Sequence, residues 1–246
     1  MGQIAKGQQP KTLPDLQIVK AKKENLFVRM GICGPAGSGK SYTAIEIATE
    51  LGRTLVIDTE FGSTRHYADS FDFDIITLDE FTTQHLQAAF LAAHENGYQC
   101  VVVDSFSHFW NGLGGVHDIV DDLNRQDIAK GKTPNTMLNW GTAKMEYRYQ
   151  IELIQRCPLH VICTFRSATD YEKDASGKRG FQVVGLKPVH NDGIDYEFDA
   201  FAMMQNLGQD VQLSFSKTRC ESLQGKIYRN PKGADFHDYF KWLNLI

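Results

Sequence analysis

The stretch Gly34-Pro35-Ala36-Gly37-Ser38-Gly39-Lys40-Ser41 constrains this chain more than any other. It fits the spacing G-x-x-x-x-G-K-[ST]. A short apolar run rich in strand formers precedes it at 26–33. After it, Ala44, Ile47, Ala48 and Leu51 recur at helical spacing, and Gly52 ends the run. The order of strand, glycine-rich turn and helix separates a phosphate-binding loop from a chance match to the spacing. Glycines let the backbone turn its N–H groups inward around a polyphosphate, and the helix N-terminus adds partial positive charge. Lys40 is placed to reach the β- and γ-phosphates, and the Ser41 hydroxyl to bind Mg2+. Residues 34–41 and the following Tyr42 are the candidate nucleotide contacts.

With 246 residues the chain suits one large α/β domain. Residues 1–25 are polar, with Lys20, Lys22 and Lys23, and read as a tail or short arm; residues 26–246 read as the domain. No apolar run approaches the ~20 residues of a bilayer span, and residues 1–10 lack the apolar core of a signal peptide. Cys33, Cys100, Cys157, Cys163 and Cys220 are odd in number and without close pairing. Cys33, Cys100 and Cys163 fall on predicted buried strands and read as small hydrophobes in a reducing, cytoplasmic setting. A net charge of −4 gives no global field for nucleic acid, so any such binding must be local.

Past the first helix, Thr54-Leu55-Val56-Ile57-Asp58 reads as a buried strand, with Thr59, Glu60, Phe61 and Gly62 just beyond its C-terminal end. Ligands of parallel sheets collect outside that edge, so Asp58 and Glu60 are expected to face the phosphates. Residues 73–78 predict a short edge strand, and Leu86, Ala89, Phe90 and Ala93 mark a helix face. Cys100-Val101-Val102-Val103-Asp104-Ser105 is the second informative strand. Buried residues ending in an acid are what a Mg2+-organising strand beside a phosphate loop requires, and Asp104 is the residue to hold the ion, directly or through water. Helices are predicted at 116–123 and, through Trp140, Ala143, Tyr147, Ile151 and Ile154, at 137–156. A strand follows at 159–165. Polar residues 167–180 predict a mobile loop. Runs at 182–186, 198–204 and 211–216 predict strands, the last two joined by hairpin chemistry at 206–210, and a helix closes the chain near 235–245.

Four segments resemble those of RecA-like ATPases. Ile57-Asp58-Thr59-Glu60-Phe61-Gly62 is similar to the segment whose glutamate polarises the attacking water, with Glu60 at that position. Val101-Val102-Val103-Asp104-Ser105 is similar to the family's Mg2+ strand. Ile162-Cys163-Thr164-Phe165-Arg166 resembles the strand that ends in a γ-phosphate sensor, with Thr164 where the family usually carries glutamine or another longer polar residue. Phe215-Ser216-Lys217-Thr218-Arg219 resembles the Lys-x-Arg pair that reaches the nucleotide of a neighbouring subunit. Such a cation meets charge that spreads in the transition state and is worth roughly three to five orders of magnitude in rate. From about Leu26 to Arg219 the chain is similar to compact phage-encoded ATPases of this class, including the Sak-type single-strand annealing ATPases. Trp140-Gly141 and Asp195-Tyr196-Glu197-Phe198-Asp199 add to that likeness.

The resemblance implies an α/β RecA-like P-loop NTPase fold: a mainly parallel central sheet flanked by helices, with a C-terminal antiparallel β extension. It implies ATP and Mg2+ as cofactors, Lys40, Glu60, Thr164, Lys217 and Arg219 as catalytic residues, and Ser41 and Asp104 as metal ligands. It implies a homo-oligomer, ring or filament, acting on single-stranded DNA in recombination, annealing or repair, in the host cytoplasm if phage-encoded. Two loops are the candidate DNA contacts: one at Arg125, Lys130 and Lys132, the other at 167–181 with Lys173, Lys178 and Arg179. Their cations suit phosphates, and Tyr171 or Phe181 suits stacking on unpaired bases. Both loops also carry acids (Asp127, Asp170, Glu172 and Asp174). Two other readings stay open: a non-catalytic nucleotide-controlled assembly or adaptor protein, and a small-molecule P-loop kinase, which needs an arginine-bearing lid and an acceptor pocket.

Overall fold

The computed structural model describes residues 17–24, 26–173 and 181–246. Its centre is a set of short strands buried on both faces. In β4 (Cys100–Asp104), Val101 and Val103 belong to one apolar layer, while Cys100 and Val102 belong to the other. The strands β1 (Arg29–Gly34) and β2 (Thr54–Asp58) are likewise buried at every residue. Double-sided burial removes the polar alternation of a half-exposed strand, which is why these segments run apolar throughout.

The remaining strands are β3 (Asp74–Thr77), β5 (His160–Lys173), β6 (Phe181–Pro188), β7 (Ala200–Asn206), β8 (Val211–Thr218) and β9 (Ile227–Arg229). The sheet order is β3-β2-β4-β5-β1-β7-β8-β9, with β6 paired to β5. From β3 to β7 every pairing is parallel; β8 and β9 then add antiparallel. This is the expected mainly parallel sheet flanked by helices with a C-terminal antiparallel extension, and in it β5 separates the phosphate-loop strand β1 from the acid strand β4. On one face, α2 (Thr83–Glu95) and α5 (Thr136–Arg156) pack through Leu86, Phe90, Tyr147 and Ile151. On the other, α1 (Lys40–Glu50) and α6 (His237–Trp242) pack through Ile45, Ile47, Tyr239 and Phe240. Two further helices, the single turn α3 (His108–Asn111) and α4 (Val116–Ala129), complete the first layer. A Cβ on Gly31 would lie 2.4 Å from the Phe201 ring, so only glycine lets β7 bring that ring across β1.

Several elements differ from the sequence expectation. Residues 167–173, read as the start of a loop, extend β5 and pair with β6 from Ser167↔Pro188 to Lys173↔Phe181. The backbone partners of this segment come from β6, and its own residues are mostly polar, which is why the sequence reads as a loop. The helix α4 runs on to Ala129, β9 is an added strand, and the closing helix is a 3-10 turn at Gly233–Phe236 followed by the short α6. All five cysteines are free and buried. No described helix is long and apolar enough to cross a membrane.

Two histidines, the half-buried His160 and the buried His190, tie the fold to pH. His160 Nδ1 accepts a hydrogen bond from the Val28 amide at 3.0 Å, which requires the neutral ring, and burial with the nearby Arg29 charge pushes it down to about 4. His190 is stacked between Phe106 and Trp110, with no partner for either ring nitrogen among the described residues, and burial pushes it down to about 3. Both folded values lie below the unfolded value near 6.5, so their contribution is full above that pH and is lost as pH falls. Denaturant titrations at pH 7 and pH 5 should therefore differ by about 2 kcal/mol for each histidine. His190→Phe should remove roughly half of that acid sensitivity; an unchanged pH slope in this variant would contradict the assignment.

Candidate active site

The β1 strand ends at Gly34, and the chain turns through Gly37 (φ 71°) and Gly39 (φ 84°) into α1. Those left-handed angles strain any side chain but glycine. At Gly34 a Cβ would sit 2.6 Å from the Met204 carbonyl and from Ser38 Oγ, so the loop lies flush against β7. The first turn of α1 has no side-chain cap, which leaves its amides available to an anion. Lys40 Nζ donates to the Pro35 carbonyl at 2.9 Å. Burial lowers the Lys40 pKa, against the pull of Asp104 and Glu60, so the ammonium sits where a polyanion would stabilise it most. Tyr42 forms a wall at the start of the helix, its ring 4.8 Å from Phe71 and 5.7 Å from Tyr67.

The buried acid is Asp104, at the end of β4 and only 2% exposed. Its Oδ1 accepts the hydroxyl of the buried Thr164, on the neighbouring β5. Its Oδ2 has no hydrogen-bond partner among the described residues. Burial holds the carboxyl above the ordinary carboxylate range, and the hydroxyls of Ser41 and Thr164 offset this only in part. A buried carboxylate oxygen without a donor, facing a serine hydroxyl beside a phosphate loop, fits a hard divalent cation that keeps waters and phosphate oxygens as its other ligands. Thr164, expected as a phosphate sensor, spends its hydroxyl on Asp104.

The loop after β2 is organised by Asp58. Its Oδ1 accepts from the amides of Glu60 (2.7 Å) and Gly62 (3.2 Å), and its Oδ2 from the amide and hydroxyl of Thr64. Asp58, expected beside the phosphates, therefore closes its own loop, as aspartates in turns commonly do. That bracket presents Glu60, whose Oε1 accepts from Arg166 Nε (3.0 Å) and Nη2 (2.8 Å). Arg166 was visible in the sequence only as the end of a strand. A partner 106 positions away leaves no local signal.

Lys217 and Arg219 lie elsewhere. Lys217 pairs with Phe201, which is level with Gly31 on β1, three residues below the end of that strand at Gly34. At ~3.3 Å per residue this is roughly 10 Å toward the opposite edge of the sheet. Lys217 Nζ donates to the carbonyls of Asp195, Tyr196 and Phe198, at 2.6–3.1 Å. The exposed Arg219 has Asp199 at 3.5 Å. Of the candidate DNA cations, Arg125 is ion-paired with Asp122 and Asp118, while Lys130 and Lys132 are exposed at the end of α4 and just beyond it. Lys173 lies at the end of β5. Lys178 and Arg179 lie outside the described residues.

A family described as "AAA domain" has a model that matches residues 26–225. No curated protein matches the chain. Among solved structures, a KaiC-like protein from the hyperthermophilic archaeon Pyrococcus horikoshii OT3 is similar at 12% identity and a TM-score of 0.46, over 82% of this chain and 86% of that one.

The charge on Asp104 gives a direct test of the site. Since burial disfavours the ionised form, Asp104→Asn should raise the melting temperature of the nucleotide-free protein, by about 2–4 °C for a change near 1 kcal/mol. The same variant should lose the further stabilisation that Mg2+ adds to ATP, which in the wild type reaches about 2.7 kcal/mol at a hundredfold excess over Kd. Calorimetry checks both, and a Mg2+ increment that survives in Asp104→Asn would contradict this assignment.

Proposed function

We propose that this chain, which belongs to the AAA domain family, is a Mg2+-dependent ATPase of the RecA-like, phage type that works on DNA in recombination, single-strand annealing or repair. The observation that carries the ATPase reading is the buried Oδ2 of Asp104, without a hydrogen-bond partner among the described residues and set between the phosphate loop and the strand that leads to Glu60. Bound Mg2+ supplies charge neutralisation at the β- and γ-phosphate oxygens. Ser41 and Asp104 hold the ion, with Thr164 fixing the Asp104 carboxylate. Lys40 exchanges the Pro35 carbonyl for phosphate oxygens, and the uncapped amides of the first turn of α1 take the rest of the anion. Glu60 orients the attacking water and accepts its proton.

In this reading turnover is slow in the isolated protomer and rises on assembly into a ring or filament. The exposed Arg219 is the residue suited to reach a neighbour's nucleotide, because Lys217 is engaged by three carbonyls of its own chain. Single-stranded DNA is the proposed partner, met by Lys130 and Lys132, with Lys173, Lys178 and Arg179 as the second set, in the cytoplasm of the cell concerned. A nucleotide-gated adaptor is the second reading, and the engagement of Lys217 favours it.

Phosphate release measured against protein concentration, with and without single-stranded DNA, separates the two. The ATPase reading expects a rate per protomer that climbs with concentration, while turnover at background throughout would favour the adaptor. Lys40→Ala should abolish ATP binding or turnover. Glu60→Gln should bind ATP normally and lose turnover by roughly a hundredfold or more. Arg219→Ala should match Glu60→Gln once assembled; full activity there would rule out the contact between subunits.

A further inference from the structure

We propose that Arg166 is the positioning residue for Glu60, fixing the carboxylate over the phosphate loop. The inference rests on the reading of Glu60 as the group that activates water. Asp58 fixes the backbone of the Glu60 loop, but a glutamate side chain keeps three rotatable bonds. Among the described residues the only hydrogen bonds to its carboxylate come from Arg166. Both guanidinium contacts go to Oε1, which leaves Oε2, with no donor among the described residues, as the oxygen to meet a water.

The other end of the clamp is anchored in the sheet. Arg166 pairs with Gly34, the first residue of the phosphate loop. Its amide donates to Ser107 Oγ at 3.0 Å, and its carbonyl accepts from the Val189 amide at 2.7 Å. Arg166 therefore refers the position of Glu60 to the strand that also carries Thr164, and through Thr164 to Asp104. The pair is partly exposed, 49% for Arg166 and 28% for Glu60, so its contribution to overall stability is small. What a planar guanidinium supplies here is direction. Two donors converging on Oε1 hold that oxygen in place more narrowly than a lysine ammonium would.

The test uses the full chain and compares ATP affinity, from titration with a fluorescent ATP analogue, with single-turnover rates of phosphate formation. Arg166→Ala should lower the rate about 10–100-fold, the scale of a misplaced catalytic group, while analogue affinity stays within about threefold. Arg166→Lys, which keeps charge without the fork, should fall between that variant and the wild type. In a Glu60→Gln background, Arg166→Ala should cost nothing further, because both changes remove one function. Any of three results would overturn the proposal: wild-type turnover in Arg166→Ala, a loss of analogue affinity in proportion to the rate, or the same fold loss in the Glu60→Gln background. Wild-type turnover in Glu60→Gln alone would instead remove the role of Glu60, whatever Arg166 does.

Discussion

One carboxylate oxygen, Oδ2 of Asp104, lies buried with no hydrogen-bond partner among the described residues. An ionised group in that position is destabilising unless a cation or a proton meets it. The rest of the site is arranged around this uncompensated charge. Thr164 bonds the other oxygen, Ser41 faces it from the start of α1, and Lys40 is near enough for its own ionisation to respond. Burial acts in opposite chemical senses on the acid and the base: it disfavours the charge on each when the other partners are absent, and so favours a ligand that brings Mg2+ and phosphate together.

The sheet order produces this arrangement. With β5 inserted between β1 and β4, Asp104 and Gly34 end two strands apart, and Thr164 occupies the gap as a bridge. On the far side of β4, β2 delivers Glu60 through a loop that Asp58 holds closed. Three separate strands thus contribute one polar group each to the same edge, while their apolar residues alternate into two cores. The site is rigid because the strands that carry it are buried on both faces, with Val101, Val102 and Val103 fully enclosed.

Much of this was legible in the sequence because double-sided burial writes unbroken apolar runs. The sequence runs 54–58 and 100–105 match β2 and, to within one residue, β4, and the acid near the end of the second run is the informative one. The extension of β5 through 173 was not legible: a two-stranded hairpin needs only backbone partners, and its polar residues look like a loop. Asp58 carried a usable signal, since an aspartate followed by Gly62 and Thr64 is turn chemistry, yet the expectation sent it to the phosphates. Arg166 carried none, because its meaning lies in a contact that only the folded sheet creates. Lys217 shows the converse: a pattern of two cations was plain in the sequence, while the three carbonyls that engage one of them were not.

The most direct measurement is a carbon-13 titration of the Asp104 carboxyl in the free protein and with Mg2+ and a non-hydrolysable ATP analogue. A site built on an uncompensated buried charge predicts titration above the ordinary carboxylate range in the free protein and a marked fall once Mg2+ and the analogue bind. A carboxyl that titrates normally in the free protein, or that ignores Mg2+ and nucleotide together, would contradict it.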